Sequence, residues 1–249
     1  MNSETINILW TGGWDSTFRV LELTDKNITI QPYYLKDNRL SEKMEIDTVK
    51  SLTEEIRKLP STKCIIKPLL AKKVSEIEQD EEITKSYNNL HEGFKKKSSG
   101  AKLGSQYEWL ARFSKNIDYL ELGIEKDSKP QVLINMFGRL EKKQDENLGE
   151  YYILDKENSS QDLINVFGNY RYPLLSYSKL DMQRIAKQKG YVDIMNKTWF
   201  CHKPKNNEPC GKCAPCMQTI EAGLQSRFSQ SAMTKYKIKK LLKLISFKK

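Results

Sequence analysis

Residues 10–17 read Trp10-Thr11-Gly12-Gly13-Trp14-Asp15-Ser16-Thr17, and they join an apolar strand predicted at Thr5 to Trp10 to a helix predicted at Ser16 to Asp25. Because glycine has no Cβ, the two glycines let backbone N–H groups approach an anion at the start of a helix. Asp15 or the adjacent serine can cap that helix, and the hydroxyl side chains offer further donors. The turn therefore predicts a phosphate site, although a capped turn without a ligand would favour the same glycines.

Strands and helices alternate along the rest of the chain. Further strands are predicted at Ile28 to Leu35, Lys63 to Leu69 and Tyr119 to Gly123, and helices between Ser41 and Leu59, at Gln106 to Lys115 and at Lys179 to Lys189. The charged stretch from Asp80 to Gly100 is interpreted as an exposed helix that ends in a flexible loop. This alternation predicts an α/β fold with a mostly parallel, Rossmann-type sheet of about five strands, and with ligands at the carboxyl ends of the strands.

The composition indicates a globular protein without a membrane span. Hydrophobic residues make up 38% and charged residues 30% of the 249 residues. No apolar run approaches the ~20 residues that cross a bilayer. The first five residues, Met1 to Thr5, have neither the basic nor the apolar region of a secretory signal. We therefore expect a cytoplasmic protein with no membrane partner.

The positive charge is concentrated at the C-terminus. The chain carries a net charge of +10, but residues 235–249 contain seven Lys and no acidic residue, which leaves +3 on the rest. Within this tail the apolar side chains Ile238, Leu241, Leu242 and Ile245 follow helical spacing, which predicts a basic amphipathic helix. The favoured interpretation is a terminal helix that packs on the domain, and the alternative is a docking element for RNA or an acidic protein.

Four of the five cysteines lie close together near the C-terminus: Cys201, Cys210, Cys213 and Cys216. Their spacing, C-x8-C-x2-C-x2-C, is typical of a closed structural Zn²⁺ site. An iron–sulfur centre and redox-active thiols are the alternatives. His202 could replace one thiolate, and Cys64 is interpreted as a core residue of a strand.

A helix is predicted after the last cysteine of this cluster. Its apolar face contains Met217, Ile220, Leu224 and Phe228, which would dock the segment on the body of the protein.

The glycine turn resembles the SGGxDS signature of the PP-loop ATP pyrophosphatases, with Thr11 in place of the first serine. The resemblance implies that the phosphates of ATP lie on Thr11, Gly12, Gly13, Ser16 and Thr17. Asp15 would organise the loop and Mg²⁺. Lys179, which follows Tyr172-Pro173-Leu174, resembles the lysine that contacts the leaving phosphates in that family, so Lys179 and Asp15 are the candidate catalytic residues. No Gly-Lys-Ser/Thr follows the glycines, which argues against a Walker-type ATPase.

The loop and the cysteines together resemble the QueC family of 7-cyano-7-deazaguanine synthases. The C-terminal match is Thr198-Trp199-Phe200-Cys201 followed by Pro209-Cys210-Gly211-Lys212-Cys213-Ala214-Pro215-Cys216. The resemblance implies an adenine-nucleotide α-hydrolase-like fold, a homodimer, and Tyr34, Leu35 and Gly123 as further residues of the ATP site. It also implies a reaction: ATP activates the carboxylate of 7-carboxy-7-deazaguanine, ammonia converts it to an amide and then a nitrile, and AMP and pyrophosphate leave.

Three other functions stay open on the sequence. A QueC-like defence enzyme would transfer the activated deazaguanine to a protein amine, and another PP-loop enzyme would modify tRNA. A zinc-ribbon module would bind nucleic acid without catalysis. The expected organisation is an ATP-binding domain at residues 1–195, a zinc-binding segment and helix at 196–230, and the basic tail at 231–249.

Overall fold

The computed structural model describes residues 4–246, and their side chains as far as residue 242. The strands are β1 Thr5–Leu9, β2 Thr29–Lys36, β3 Ile65–Ile66, β4 Leu70–Lys73, β5 Leu120–Glu121, β6 Arg139–Asp145, β7 Gly149–Asp155 and β8 Tyr170–Arg171. The helices are α1 Trp14–Glu22, α2 Glu42–Arg57, α3 Glu81–Lys97, α4 Gln106–Ser114, α5 Lys129–Phe137, α6 Gln161–Phe167, α7 Lys179–Gln188, α8 Val192–Asn196, α9 Ala214–Glu221 and α10 Gln230–Ser246.

The main sheet is parallel and has the strand order β3-β2-β1-β5-β8, with β4 pairing to β2 beyond β3. The predicted α/β class and the count of about five strands are confirmed. Since β2 and β5 flank β1 on opposite sides, the connections after β1 and β5 diverge at the carboxyl edge. Such a divergence is where open parallel sheets bind their ligands. The glycine turn, which follows β1, lies at this edge.

Several predicted boundaries were wrong for local reasons. The strand expected at Lys63 to Leu69 is divided into β3 and β4, because Pro68 lies between them and has no N–H to donate to a strand ladder. The strand expected at Tyr119 to Gly123 keeps only the two residues of β5, since the chain turns where the Ile124 N–H donates to the Leu122 carbonyl at 2.8 Å.

The helix expected to be exposed at 80–100 is α3, and one of its faces is part of the core. Ile83, Leu90 and Phe94 are buried on that face, in a cluster that also contains side chains of α6. The charged residues that dominate this stretch occupy its other faces. Because they outnumber the apolar residues, the helical spacing of the apolar residues is difficult to recognise in the sequence.

Residues 129–171 contain structure that the sequence does not predict. Between α5 and α6 the strands β6 and β7 form an antiparallel hairpin. The hairpin is joined to the chain after β8 by a bridge between Tyr152 and Tyr172. Strand β6 reads RLEKKQD, and since its residues are mostly exposed, it lacks the apolar alternation that identifies a strand.

Up to residue 242, the buried side chains of the C-terminal helix α10 lie in its first two turns. Ala232 and Tyr236 are buried, whereas Ile238, Leu241 and Leu242 are each more than half exposed. The expected packing of these three apolar side chains on the domain was therefore wrong, and Ile245 lies outside the described side chains. Along residues 4–246, no helix has both the length and the apolar character that a membrane crossing requires.

A buried ion pair connects α1 to the central sheet. The Arg19 guanidinium donates through Nε and Nη2 to the two carboxylate oxygens of Glu121 on β5, at 2.8 and 2.7 Å. The side chains are only 4% and 1% exposed. Because the two ends of this pair lie on α1 and β5, it holds the last turn of the helix in place against the neighbouring strand.

Replacing Glu121 by Ala should lower the free energy of unfolding by up to about 3–5 kcal/mol, since it leaves the buried Arg19 guanidinium with only a longer ion pair, 3.7 Å from Glu22. The measurement is urea unfolding of the two proteins. Glu54→Ala is the control: Glu54 forms an exposed pair with Arg57 at 2.9 Å. Exposed pairs contribute less than about 1 kcal/mol. Equal losses in the two variants would contradict the role assigned to the buried pair.

Candidate functional site

The glycine turn between β1 and α1 leaves no space for a side chain at its first glycine. Gly12 has φ +71°, and a Cβ there would lie 3.1 Å from the Glu45 carbonyl oxygen and from the Thr48 methyl group. Gly13 is the N-cap residue of α1 and has no side chain with which to occupy the first N–H groups of the helix. The turn therefore exposes helix N–H groups to the space in front of it.

Two buried donors beside the turn have no hydrogen-bond partner. The Ser16 hydroxyl and the Trp14 indole Nε1 both lack an acceptor among residues 4–242. Buried donors without acceptors are uncommon in folded proteins, and a bound ligand is one explanation of them. Together with the uncapped helix start, these donors suit an anion such as a phosphate.

Thr17 differs from the phosphate contact that the resemblance implies for it. Its side chain is fully buried, and its hydroxyl accepts a hydrogen bond from the Trp10 indole Nε1 at 2.9 Å. Its backbone N–H donates to the Gly13 carbonyl at 3.1 Å. Thr17 thus lies behind the turn and connects the end of β1 to α1.

Gly123 places the end of β5 against the start of α1. A Cβ at this position would lie 3.4 Å from the Ser16 backbone N and 3.6 Å from the Asp15 Cβ. The two polypeptide segments that diverge at the sheet edge therefore approach each other closely here. This approach brings the residues after β5 into the same site as the glycine turn.

A lysine and two carboxylates meet at this edge. Lys179 begins α7, whose N-cap Ser178 accepts from the Asp181 backbone N–H. The Lys179 Nζ lies 3.4 Å from the Asp15 carboxylate and 3.2 Å from Glu125. The sequence singles out Lys179 and Asp15, but Glu125 is missed as a partner because it lies 54 residues from Lys179 and the contact is tertiary.

Asp15 has a raised pKa in this site. Burial raises the pKa of Asp15 to about 6, although Lys179 opposes the shift and Glu125 adds to it. At neutral pH Asp15 is thus ionised at an energetic cost. A lysine between two carboxylates can either contact a polyanion or leave the carboxylate oxygens free for a hard cation such as Mg²⁺.

Replacing Asp15 by Asn should stabilise the protein above pH 7 in the absence of nucleotide and Mg²⁺. The pKa of Asp15 is about 6 in the folded protein against a reference value of 3.8, so the wild type loses stability as the pH rises through 6. The amide cannot ionise, and the expected gain at pH 8 is about 1–3 kcal/mol, vanishing below pH 4. Thermal unfolding across pH 4–8 measures it.

Asp47→Asn is the matched control for this prediction, because Asp47 is an exposed residue of α2 that pairs with Lys43. Its effect should stay within about 0.5 kcal/mol at every pH. A less stable Asp15→Asn protein at pH 8 would contradict the burial cost assigned to Asp15.

Two adjoining cavities open at the carboxyl edge. The first, about 240 Å³, is lined by Thr11, Gly13, Asp15 and Lys179 on one side and by Trp199, Phe200 and Arg227 of the C-terminal segment on the other. The second, about 430 Å³, is lined by Tyr34, Leu35, Gly123, Gln106 and Tyr107. Thr11, Arg39 and His202 border both cavities, so the two are neighbouring parts of one site.

Residues of the second cavity have structural contacts of their own. The Tyr34 hydroxyl donates to the Glu45 carboxylate at 2.7 Å, and burial raises the pKa of Tyr34. Arg39 pairs with Asp37 at 2.6 Å in the loop after β2. The sequence analysis missed Arg39, and its position just after the carboxyl end of a predicted strand is the signal that could have found it.

The four cysteines of the C-terminal segment converge on one point. Their sulfur atoms all lie within 4.8 Å of one another. The Sγ atoms of Cys210 and Cys216 are 3.9 Å apart, and so are those of Cys201 and Cys213. Tetrahedral zinc with Zn–S bonds of ~2.3 Å needs sulfurs ~3.8 Å apart, so the donor set fits this ion. An iron–sulfur cluster would hold the thiolates farther apart, because several atoms lie between them.

Backbone donors surround these sulfurs. The Cys210 N–H donates to the Cys201 Sγ at 3.2 Å, and the Cys213 N–H donates to the Cys210 Sγ at 3.3 Å. Such bonds favour the thiolate form that a metal requires. His202 is exposed and borders the cavities, apart from the cysteine group, and Cys64 is buried elsewhere in the core.

The cysteine segment lies directly on the glycine turn. The Trp199 N–H donates to the Gly12 carbonyl at 2.7 Å, and the Trp199 indole donates to the Cys201 carbonyl at 2.9 Å. The helix after the cysteines is shorter than predicted: α9 ends at Glu221, so Leu224 and Phe228 lie beyond it. Phe228 still packs on Phe200, with ring centroids 5.2 Å apart, and keeps the segment folded against itself.

Comparison with known proteins agrees with this arrangement. The family model described as "Queuosine biosynthesis protein QueC" matches residues 162–226, about a quarter of the chain. No curated protein matches the chain. The matched region begins in α6 and includes Lys179 and all four clustered cysteines, whereas the glycine turn lies outside it. Residues 162–226 are therefore similar to the QueC family.

Proposed function

We propose that the chain is an ATP-dependent ligase that adenylates a carboxylate and transfers the acyl group to ammonia. The acid to test first is 7-carboxy-7-deazaguanine, since the resemblance to QueC implies it. The observation that carries the proposal is the meeting of the glycine turn, the Lys179–Asp15–Glu125 cluster and the cysteine segment at one sheet edge. Each of these three features matches one part of the chemistry.

The glycine turn is the proposed phosphate site. The free N–H groups at the start of α1 and the Ser16 hydroxyl provide donors for phosphate oxygens, and the positive end of the helix dipole favours their charge. The adenosine would occupy the second cavity, where Tyr34, Leu35 and Gly123 form part of the wall. The acid would then lie beside the α-phosphate, at the junction of the two cavities.

The reaction balances with ATP and ammonia alone. A carboxylate oxygen attacks the α-phosphorus and displaces pyrophosphate, which gives an acyl adenylate. Ammonia attacks the acyl carbon, loses a proton and displaces AMP, which gives the amide. A second ATP activates the amide oxygen in the same way, and elimination of AMP with loss of protons gives the nitrile. Holding the two reactants together accounts for much of the expected acceleration.

Lys179 is the proposed electrostatic catalyst. Its ammonium group lies next to the glycine turn and stabilises the charge that develops on the departing pyrophosphate. Asp15 and Glu125 are the oxygen ligands available for Mg²⁺, which would neutralise phosphate charge when bound. The four cysteines would hold a structural zinc ion that keeps Trp199 against the turn.

Mass spectrometry of the products tests the proposal. The zinc-loaded protein is incubated with Mg²⁺, ATP, 7-carboxy-7-deazaguanine and ammonia, and AMP, pyrophosphate and all deazaguanine species are quantified. Nitrile with AMP is the expected result. Amide alone would retain adenylation and show that the reaction stops before the nitrile. A protein whose mass has increased would retain adenylation and change the acceptor. No AMP, combined with salt-dependent RNA binding, would overturn the proposal in favour of a nucleic-acid-binding module.

A further inference from the structure

Arg227 projects from the C-terminal segment into the first cavity. It ends a short 3-10 turn at Gln225–Arg227 and borders the cavity together with Asp15 and Lys179. Its Nη2 donates to the Thr198 carbonyl and, at 3.1 Å, to the Thr198 hydroxyl. The guanidinium carbon lies 4.6 Å from the centre of the Phe200 ring. These contacts orient the guanidinium and use only one of its three nitrogens as a donor.

The guanidinium has no acidic partner in the described part of the chain, whereas the other cations of the site do. Lys179 lies beside two carboxylates, and Arg39 pairs with Asp37. Burial lowers the pKa of Arg227 to about 10. A partly buried cation without a counter-ion is costly, and an anionic ligand would remove that cost.

The same cavity has other donors without acceptors. Trp14, whose indole Nε1 is buried and unpartnered, borders it, and the Ser16 hydroxyl lies beside it in the same first turn of α1. A planar guanidinium with free donors matches two oxygens of a phosphate group, which makes arginine well suited to this anion.

We propose that Arg227 binds phosphate oxygens of the β- and γ-phosphates of ATP, the part that leaves as pyrophosphate. The inference rests on the proposed adenylation and adds a phosphate contact from outside the glycine turn. Arg227 reaches the site because the cysteine segment is folded: Phe200, on which it stacks, precedes Cys201 directly. The metal-binding segment thereby contributes a nucleotide contact as well as a structural one.

Isothermal titration of the zinc-loaded full chain with pyrophosphate, ATP and AMP tests this role. Arg227→Gln should weaken the binding of pyrophosphate and ATP by about 10- to 100-fold, the usual range for a charged hydrogen bond. AMP, which lacks the leaving phosphates, should bind within twofold of wild type. Arg227→Lys, which keeps the positive charge and loses the paired donors of the planar guanidinium, should bind pyrophosphate with an affinity between those of wild type and Arg227→Gln. Arg184→Gln is the control, because Arg184 is an exposed arginine of α7.

The outcomes separate the contact from its premise. If wild type binds ATP, and Arg227→Gln binds pyrophosphate with the same affinity as wild type does, the contact is refuted and the proposed function stands. An equal loss for AMP and pyrophosphate would also refute the contact, since it indicates a structural role. If wild type binds neither ATP nor pyrophosphate, the proposed function fails too. If Arg227→Gln loses zinc, Arg227→Lys decides alone: wild-type pyrophosphate affinity, or a loss shared with AMP, refutes the contact.

Discussion

Replacing Lys179 by Ala should slow AMP formation by about 10²–10³-fold, the loss that follows removal of a well-placed charge at a developing anion. In the structure its ammonium group lies 3.4 Å from Asp15 and 3.2 Å from Glu125, beside the glycine turn. Pyrophosphate gains negative charge as it departs, so the effect should fall on the rate of the chemical step. Single-turnover formation of AMP under saturating ATP measures that rate.

Lys187→Ala is the matched control, because Lys187 is exposed on the same helix and borders neither of the two site cavities. It should keep the wild-type rate within about twofold, because an exposed lysine away from the site cannot act on the departing phosphates. Without Lys179, Asp15 and Glu125 face each other with no cation between them, so the pKa of Asp15 should rise further. Wild-type AMP formation by Lys179→Ala would refute the catalytic role.

Removing the metal from the cysteine cluster should cause the largest loss of stability. Structural zinc contributes on the order of 10 kcal/mol in zinc-finger peptides, so chelation or Cys216→Ser should lower the free energy of unfolding by several kcal/mol. Loss of the metal should also weaken nucleotide binding, because the Trp199 N–H of this segment donates to the Gly12 carbonyl of the glycine turn. The measurements are metal content, thermal unfolding and ATP affinity on the same samples.

Cys64→Ser is the control for the cysteine prediction. Cys64 is buried in the main core and lies outside the cluster, so this variant should keep one zinc per chain and nearly wild-type ATP affinity. Because Cys64→Ser is a substitution in the core, it should lower the free energy of unfolding by about 1–3 kcal/mol. Metal-free protein that unfolds at the temperature of the zinc-loaded protein would contradict a structural role for the ion.

The sequence predicts features whose determinants are local. The glycine turn and the cysteine spacing each occupy a short stretch, so residue types alone indicate their chemistry. The helix at Lys179 is likewise anticipated, because a capping serine precedes it and a glycine follows it.

Features that depend on tertiary contacts are not predicted. Glu125 joins Lys179, and Arg227 joins the glycine turn, only after the sheet and the cysteine segment have folded. The hairpin of β6 and β7 is missed because its exposed residues carry no apolar alternation. Ile238 and its apolar neighbours in α10 follow the spacing of a packed face, yet up to residue 242 the buried side chains of this helix, Ala232 and Tyr236, lie in its first two turns.

Oxygen-isotope transfer tests acyl adenylation most directly. The zinc-loaded protein is supplied with Mg²⁺, ATP, ammonia and 7-carboxy-7-deazaguanine whose two carboxylate oxygens are ¹⁸O, and the AMP is analysed by mass spectrometry. Adenylation joins a carboxylate oxygen to the α-phosphorus, and ammonia then cleaves the bond between that oxygen and the acyl carbon. Adenylation therefore predicts AMP with one ¹⁸O and unlabelled pyrophosphate. Unlabelled AMP, or ADP with inorganic phosphate, would show that the carboxylate never attacks the α-phosphorus and would contradict the proposed function.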